Sequence, residues 1–110
     1  MATTTYKVLG QQNPSATTNT TLYTVPSATS TVISSVTICN QASTAGTFRI
    51  MVRPAAASLT AVHYVAYDVA IAANDTIALT LGITLATTDK LDVYASSANL
   101  SFAAFGSEIS

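Results

Sequence analysis

Apolar and polar residues alternate with a period of two along most of this 110-residue chain, the pattern of strands with one face buried. In "TFRIMVR", Phe48, Ile50 and Val52 fall on one face and Thr47, Arg49, Met51 and Arg53 on the other. "DTIALTL" sets Ile77, Leu79 and Leu81 against Thr76, Ala78 and Thr80. "KLDVYAS" sets Leu91, Val93 and Ala95 against Lys90, Asp92 and Tyr94. "LSFAAFG" sets Leu100, Phe102 and Ala104 against Ser101, Ala103 and Phe105. The segment "TVISSVTIC" differs. Val32, Ser34, Val36 and Ile38 share one face, and Ile33, Ser35, Thr37 and Cys39 share the other. Both faces are semi-apolar with small hydroxylated residues between, so the segment reads as a strand covered on both sides, by a second sheet or by another chain. Threonine suits such a strand, because its β-branch fits the pleat while its hydroxyl tolerates partial exposure.

Turn signals separate these runs. They fall at 12–18 around Asn13-Pro14-Ser15, at Pro26-Ser27, at 41–46, at 54–58, at Ala73-Asn74-Asp75, at Thr87-Thr88-Asp89 and at 96–99. The pattern predicts about eight strands, at 6–11, 20–25, 31–40, 47–53, 62–70, 75–82, 90–95 and 100–106, with Ile83 to Leu85 continuing the sixth past a kink at Gly82. Ala55 to Ala61 is the one helical option, and Pro54 before it and β-branched residues after it favour a loop. The expected fold is all-β: an antiparallel β-sandwich of about eight strands, jelly-roll or Ig-like, forming one domain over 6–110 behind an N-terminal arm at 1–5.

Composition narrows the function classes. Charged residues make up 8% of the chain, against about 25% in ordinary soluble domains. The net charge is −1, and Lys7, Arg49, Arg53 and Lys90 are scattered. Neutralising phosphates needs clustered basic residues, so nucleic-acid binding is not expected. A surface this neutral suits a protein packed against neighbours. Cys39 is the single cysteine, so no internal disulfide forms; it reads as a buried, inert thiol. "MATTTYKVLG" lacks the charged and apolar regions of a signal peptide. Apolar runs stop well short of the roughly 18 residues of a membrane helix.

Candidate chemistry is sparse. His63 is the single histidine, whereas a histidine-built metal site needs two or three ligands in reach. A catalytic serine needs a base and a group to orient that base, and "FGSEI" is not Gly-x-Ser-x-Gly. Of the acids, Asp75 and Asp89 fall in turns, where aspartate caps its own backbone, and Asp92 alternates outward on its strand. With Asp68 and Glu108 these acids could in principle pair for general acid–base work, but all five read as structural. "NDT" and "TTDKLD" are too sparse for a calcium loop. The four glycines form no phosphate cradle. Asn19, Asn74 and Asn99 open Asn-x-Ser/Thr triplets of the kind that chance produces in a threonine-rich chain. No catalytic, cofactor-binding or metal residue is therefore expected, and the chain does not read as an enzyme. "HYVAYD" is the polar-aromatic exception. By alternation Tyr64 joins Ala66 and Asp68 on one face, and His63 joins Val65 and Tyr67 on the other. It reads as a core or subunit-contact strand, with a sugar-binding patch as the sharper alternative.

Taken in order, "YKVLGQ", "TTLYTVP", "TICN", "TFRIMVRP", "HYVAYD", "NDTIALTLGITL" and "FGSEI" resemble a family of small virion proteins of tailed bacteriophages, notably those of cyanobacteria and other aquatic bacteria. The resemblance runs nearly end to end and brings no active-site residue with it. It implies an accessory β-sandwich of the virion. The first expectation is a capsid decoration, or cement, protein on the capsid exterior, made in the host cytoplasm. It would bind the major capsid protein and self-associate as a trimer, with a dimer second. A neck, baseplate or tail-fibre component bound to tail or neck proteins is the second expectation. A carbohydrate-binding attachment module is the third; Tyr64, Tyr67 and Tyr94 are its candidates, and strict alternation does not bring them together.

Overall fold

The computed structural model describes residues 3–110. Nine strands follow in order: β1 (Thr4–Gln12), β2 (Thr20–Thr24), β3 (Ser30–Asn40), β4 (Gly46–Arg53), β5 (Tyr64–Ile71), β6 (Thr76–Leu79), β7 (Ile83–Leu85), β8 (Lys90–Ala95) and β9 (Leu100–Ile109). Every pairing is antiparallel, and the pairs nest. β4 pairs with β5, β3 with β6 and β7, β2 with β8, and β1 with β9. This is one long hairpin rolled onto itself. The roll places β1-β9-β3-β6 in one sheet, with β7 also on β3, and β2-β8-β4-β5 in the other. Nested pairing divided between two facing sheets is the jelly roll, which resolves the sandwich in favour of the first of its two expected forms.

β6 and β7 are one edge strand with a break. Val36 pairs with Leu79 and Ile33 with Ile83, so the register slips by a residue across the gap. The break falls at Thr80–Gly82, where Gly82 takes a left-handed φ of 63°. Leu81, expected to face the core, is 44% exposed for this reason.

The core lies between the sheets. Leu22, Val36, Ile38, Phe48, Ile50, Leu91, Val93, Ala95, Leu100, Phe102 and Ala104 are all buried in it, and ten of these face inward as the alternation requires once each strand's register is set. The rings of Phe48 and Phe102 meet edge to face across the sheets at 6.3 Å, a preferred aromatic geometry. Asn40 closes one end of this apolar layer. It is 1% exposed, and its amide donates to the Thr44 and Ala72 carbonyls while its oxygen accepts from the Ala42 N–H. Full satisfaction removes the cost of burying it and ties the β3–β4 loop to the turn after β5.

Two extra residues adjust the first sheet. Leu9 is inserted in β1 between the Val8–Phe105 and Gly10–Ala104 pairs. Ser34 is inserted in β3 between the Ile33–Gly106 and Ser35–Phe105 pairs. Each β-bulge exchanges the faces of its strand. Thr31 and Ile33 therefore face the core before the bulge, and Val36, Ile38 and Asn40 after it. Continuous alternation had placed Val32 and Ser34 with Val36; instead Ser34 is exposed and Val32 only half-buried.

Several further expectations are corrected. Thr4 and Thr5 belong to β1, paired with Ile109 and Glu108, because β9 runs on to Ile109 and offers them a ladder; Met1 and Ala2 of the expected arm lie outside the described residues. Cys39 is half-buried on the outer face of the first sheet, because the Ser34 bulge leaves Ile38 as its inward neighbour. The 54–63 connection holds two three-residue 3-10 turns, Pro54–Ala56 and Ala61–His63. His63 thus precedes β5, which begins at Tyr64.

A Cβ on Gly106 would lie 2.0 Å from the Val32 carbonyl oxygen and 3.0 Å from the Ile33 Cα. These are backbone atoms that cannot swing aside. Gly106→Ala is expected to destabilise the domain by about 3 kcal/mol or more, the range of severe core disruption, in urea unfolding followed by circular dichroism. Gly82→Ala, with open space around it but a left-handed φ, is expected to cost about 1 kcal/mol.

Candidate functional site

The second sheet carries a polar-aromatic cluster on its outer face, and two irregularities in β5 build it. Phe48 pairs with Val69 and Ile50 with Ala66, so Tyr67 and Asp68 together oppose Arg49. Ile50 then pairs with Ala66 and Met51 with Tyr64, so Val65 is also extra. Asp68 takes a left-handed φ of 49°, a conformation that aspartate tolerates better than most residues. The bulges keep Ala66, Val69 and Ile71 against the core while Tyr64, Tyr67 and Asp68 all turn outward.

Arg49 is the centre of the cluster. Its guanidinium lies 4.2 Å from the centre of the Tyr67 ring and 4.3 Å from that of Tyr94. Its Nε and Nη2 donate to the two oxygens of Asp68 at 2.6 and 3.3 Å. Tyr64 meets Tyr67 edge to face at 4.9 Å. The Asp68 hydrogen bonds raise the Arg49 guanidinium above its ordinary range, so the cation is permanent, and ring faces and carboxylate hold it in one orientation. The three tyrosines that alternation kept apart are thereby joined, Tyr67 and Tyr94 through Arg49 and Tyr64 through Tyr67.

An open cavity of about 550 Å³ adjoins the cluster, lined by Leu59, Thr60, Ala61, Tyr64 and Tyr67. Its loop wall is held at three points. The Thr60 N–H donates to His63 Nδ1 at 3.0 Å. Arg53 Nη1 donates to the Ala57 carbonyl at 2.9 Å. The Ala55 N–H donates to Asp89 at 2.7 Å, and the other Asp89 oxygen accepts from the Ala86 N–H. Asp75 accepts from its neighbour Thr76 N–H, as its turn position implied. Asp92 does point outward from its strand, but it is 5% exposed and bonded to Arg53 at 2.7 Å. The loop above β4 explains this: Met51, in the same outward row, is fully buried yet outside the inter-sheet core. His63, Asp89 and Asp92 therefore brace a loop wall, and among the described residues no group of three or more His, Cys, Asp or Glu is placed to hold a metal ion.

The first sheet presents a different surface. Outward rows run Tyr6–Ser107–Val32–Thr84, Val8–Phe105–Ser35 and Gln11–Ala103–Thr37–Ala78. None of these side chains is charged. Tyr6 is 83% and Val8 49% exposed on the edge strand β1. The two charged residues of this sheet, Lys7 and Glu108, turn the other way. Lys7 Nζ bonds Glu108 at 3.1 Å, and Tyr23 of the opposite sheet donates its hydroxyl to Glu108 at 2.5 Å and lies 2.8 Å from the Thr31 hydroxyl. Burial, then the neighbouring carboxylate, pushes the Tyr23 phenol up to about 12. The Tyr23 hydrogen bond, assisted by Lys7, holds Glu108 below its ordinary range.

Comparisons with known proteins bear on the fold. No family model matches the chain, and no curated protein matches it. Among solved structures, a chain from the structure of infectious bursal disease virus, Gx strain, is similar over 98% of the present chain, at a TM-score of 0.55 and 14% identity. The present chain spans 31% of that viral chain's length. At this identity the likeness is one of fold: a jelly roll shared with a chain of a virus.

Sequence reasoning had named Tyr64, Tyr67 and Tyr94 but not Arg49 or the 59–61 wall. The aspartate closing "HYVAYD" was the available signal, since aspartate is among the residues that admit a left-handed bulge position.

The Tyr23–Glu108 pair predicts a pH profile with two falling arms. A lowered carboxylate stabilises the fold above its ordinary value of 4.5 and loses that contribution on acidification. A raised phenol stabilises the fold below pH 10 and loses that contribution as pH climbs towards 12. Scanning calorimetry across this range is expected to show Tm falling at both ends. Tyr23→Phe should flatten the alkaline arm and shrink the acid one; an unchanged alkaline arm would show that Tyr23 does not titrate in this way.

Proposed function

We propose that this chain is a structural component of a virion, acting through protein-to-protein packing. The observation that carries the reading is the uncharged outer face of the first sheet. A chain with so few charges still spends none of them on a five-stranded surface, while Tyr6 and Val8 stand exposed there. Water-exposed sheet faces are ordinarily the polar ones, and exposed apolar patches mark contact surfaces. The jelly roll adds support as a fold common in viral capsid domains, as does the likeness to a chain of infectious bursal disease virus.

Within that class the reading is a capsid decoration protein of a tailed bacteriophage, seated on the outside of the shell where its subunits meet. Each contact adds modestly to the barrier against shell opening, and many copies act together. The free edge of β1 beside Tyr6 and Val8 suits self-association into a trimer, or second a dimer, by strand addition. The same edge would serve a neck or tail component, so position in the particle separates the two readings.

Electron cryomicroscopy of the intact virion tests this. Many copies spread over the shell are expected; density confined to the neck or tail would favour the second reading, and absence from the particle would end both. In a reconstitution with shells lacking the protein, the Tyr6→Glu, Val8→Glu double variant is expected to bind roughly tenfold more weakly or worse. Both side chains lie outside the core, so the variant should keep the wild-type Tm.

A further inference from the structure

We infer that the Tyr67 face of the second sheet is a binding site for a neutral saccharide. The inference is independent of the virion reading, which rests on the other sheet. Tyr67 is 58% exposed in spite of two defined ring contacts, to Arg49 and to Tyr64, and it lines the adjoining cavity. A large ring held this firmly and left open to solvent is a prepared contact surface. The cavity beside it, about 550 Å³, falls within the range of small-molecule sites.

Charge selects the ligand class. The slot between Tyr67 and Tyr94 is already filled by the Arg49 cation. A quaternary ammonium or methylated amine, which aromatic cages bind, therefore finds that slot occupied. An anionic sugar or phosphate finds the Arg49 charge already compensated by the Asp68 carboxylate. What remains is a ligand without net charge that offers an apolar face to a ring and hydroxyls at its rim. A pyranose has that form. Its C–H face would lie on Tyr67, and its hydroxyls would meet the half-exposed Asp68 carboxylate and the Thr60 hydroxyl, which donates or accepts.

Rigidity supports the same reading. The wall residues Leu59–Ala61 are fixed by the Thr60–His63 bond on one side and by the Arg53–Ala57 and Asp89–Ala55 bonds on the other. The aromatic side is fixed by Arg49. Left-handed backbone occurs on both sides of the site, at Ala55 and Ala56 in the turn before its loop wall and at Asp68 in β5, and unfavourable backbone of this kind concentrates where a binding surface is held in shape. A preformed site loses little entropy on binding. Arg49 is here a positioning residue that aims Tyr67.

The test is a glycan array probed with the full chain, carrying neutral oligosaccharides with sialylated and sulfated ones as controls. Any retained glycan is then titrated by two-dimensional amide NMR. Retention of a neutral glycan is expected, with shifts confined to 59–61 and 64–68. Tyr67→Ala should weaken binding about tenfold or more. Tyr67→Trp should retain it, since a ring face remains, and Val8→Glu on the opposite sheet should leave it unchanged. Arg49→Lys should weaken binding while keeping the charge, because lysine cannot fork to Asp68. The inference is overturned if no neutral glycan is retained, if only anionic glycans are, if Tyr67→Ala binds as wild type with an intact spectrum, or if the same amides shift with protein concentration alone, which would make the face a contact between copies.

Discussion

A β-strand has two faces, and a single inserted residue exchanges them. That constraint governs this molecule. β9 runs between two neighbours, β1 and β3, and each carries one extra residue close to the Ala104–Gly106 stretch. Without Ser34, Thr31 and Ile33 would face solvent while Val36 and Ile38 faced the core. With it, all four face inward, and Thr31 reaches Tyr23. Without Leu9, Tyr6 and Val8 would change sides relative to the rest of β1. Gly106 lies beside the Ser34 bulge, and a Cβ there would strike the Val32 carbonyl. Bulge and glycine are thus one device: the extra residue bends the ladder, and the missing side chain admits the bend.

The bulges in β5 do for the second sheet what Leu9 and Ser34 do for the first. They keep Ala66, Val69 and Ile71 on the core and still release three polar or aromatic residues to the outside. The outcome is a division of labour between the sheets. One outer face carries no charge. The other concentrates Arg49, Arg53, Asp68 and Asp92, paired among themselves. Lys7 and Glu108 are drawn to the inter-sheet rim, where Tyr23 makes them structural. Since surface ion pairs contribute little to stability, this arrangement is better understood through what it leaves clear: a first face with nothing charged to desolvate when a partner covers it.

The strands, their order along the chain and most of the core were legible because burial imposes a period of two. Phe48, Ile50, Leu91, Val93, Leu100 and Phe102 face inward as their spacing required. The failures fall at single residues. Ser34 looks like any other serine in a threonine-rich strand, and nothing local marks it as the inserted one; its role comes from the register of β9. Tyr64 and Tyr67 were assigned to opposite faces because two insertions in eight residues were invisible to a count of alternation. Asp92 was placed on the right face, but no strand pattern says that a loop will fold over it. Pairing partners and loop cover are long-range facts, and they decided what the local pattern could not.

The rolled hairpin explains why one small domain can carry two unrelated surfaces. Nested pairing commits every strand to the shared core, so most of the apolar burial is drawn from the inner faces. The outer faces are then free to diverge, and here they have. The first leaves Tyr6 and Val8 exposed at an edge strand. The cation held between two rings gives the second a rigid aromatic surface beside a cavity. A subunit bound through its first sheet would present the second to the surroundings, since the two outer faces of a sandwich point in opposite directions. Both proposed roles would then use the one geometry, each on its own sheet.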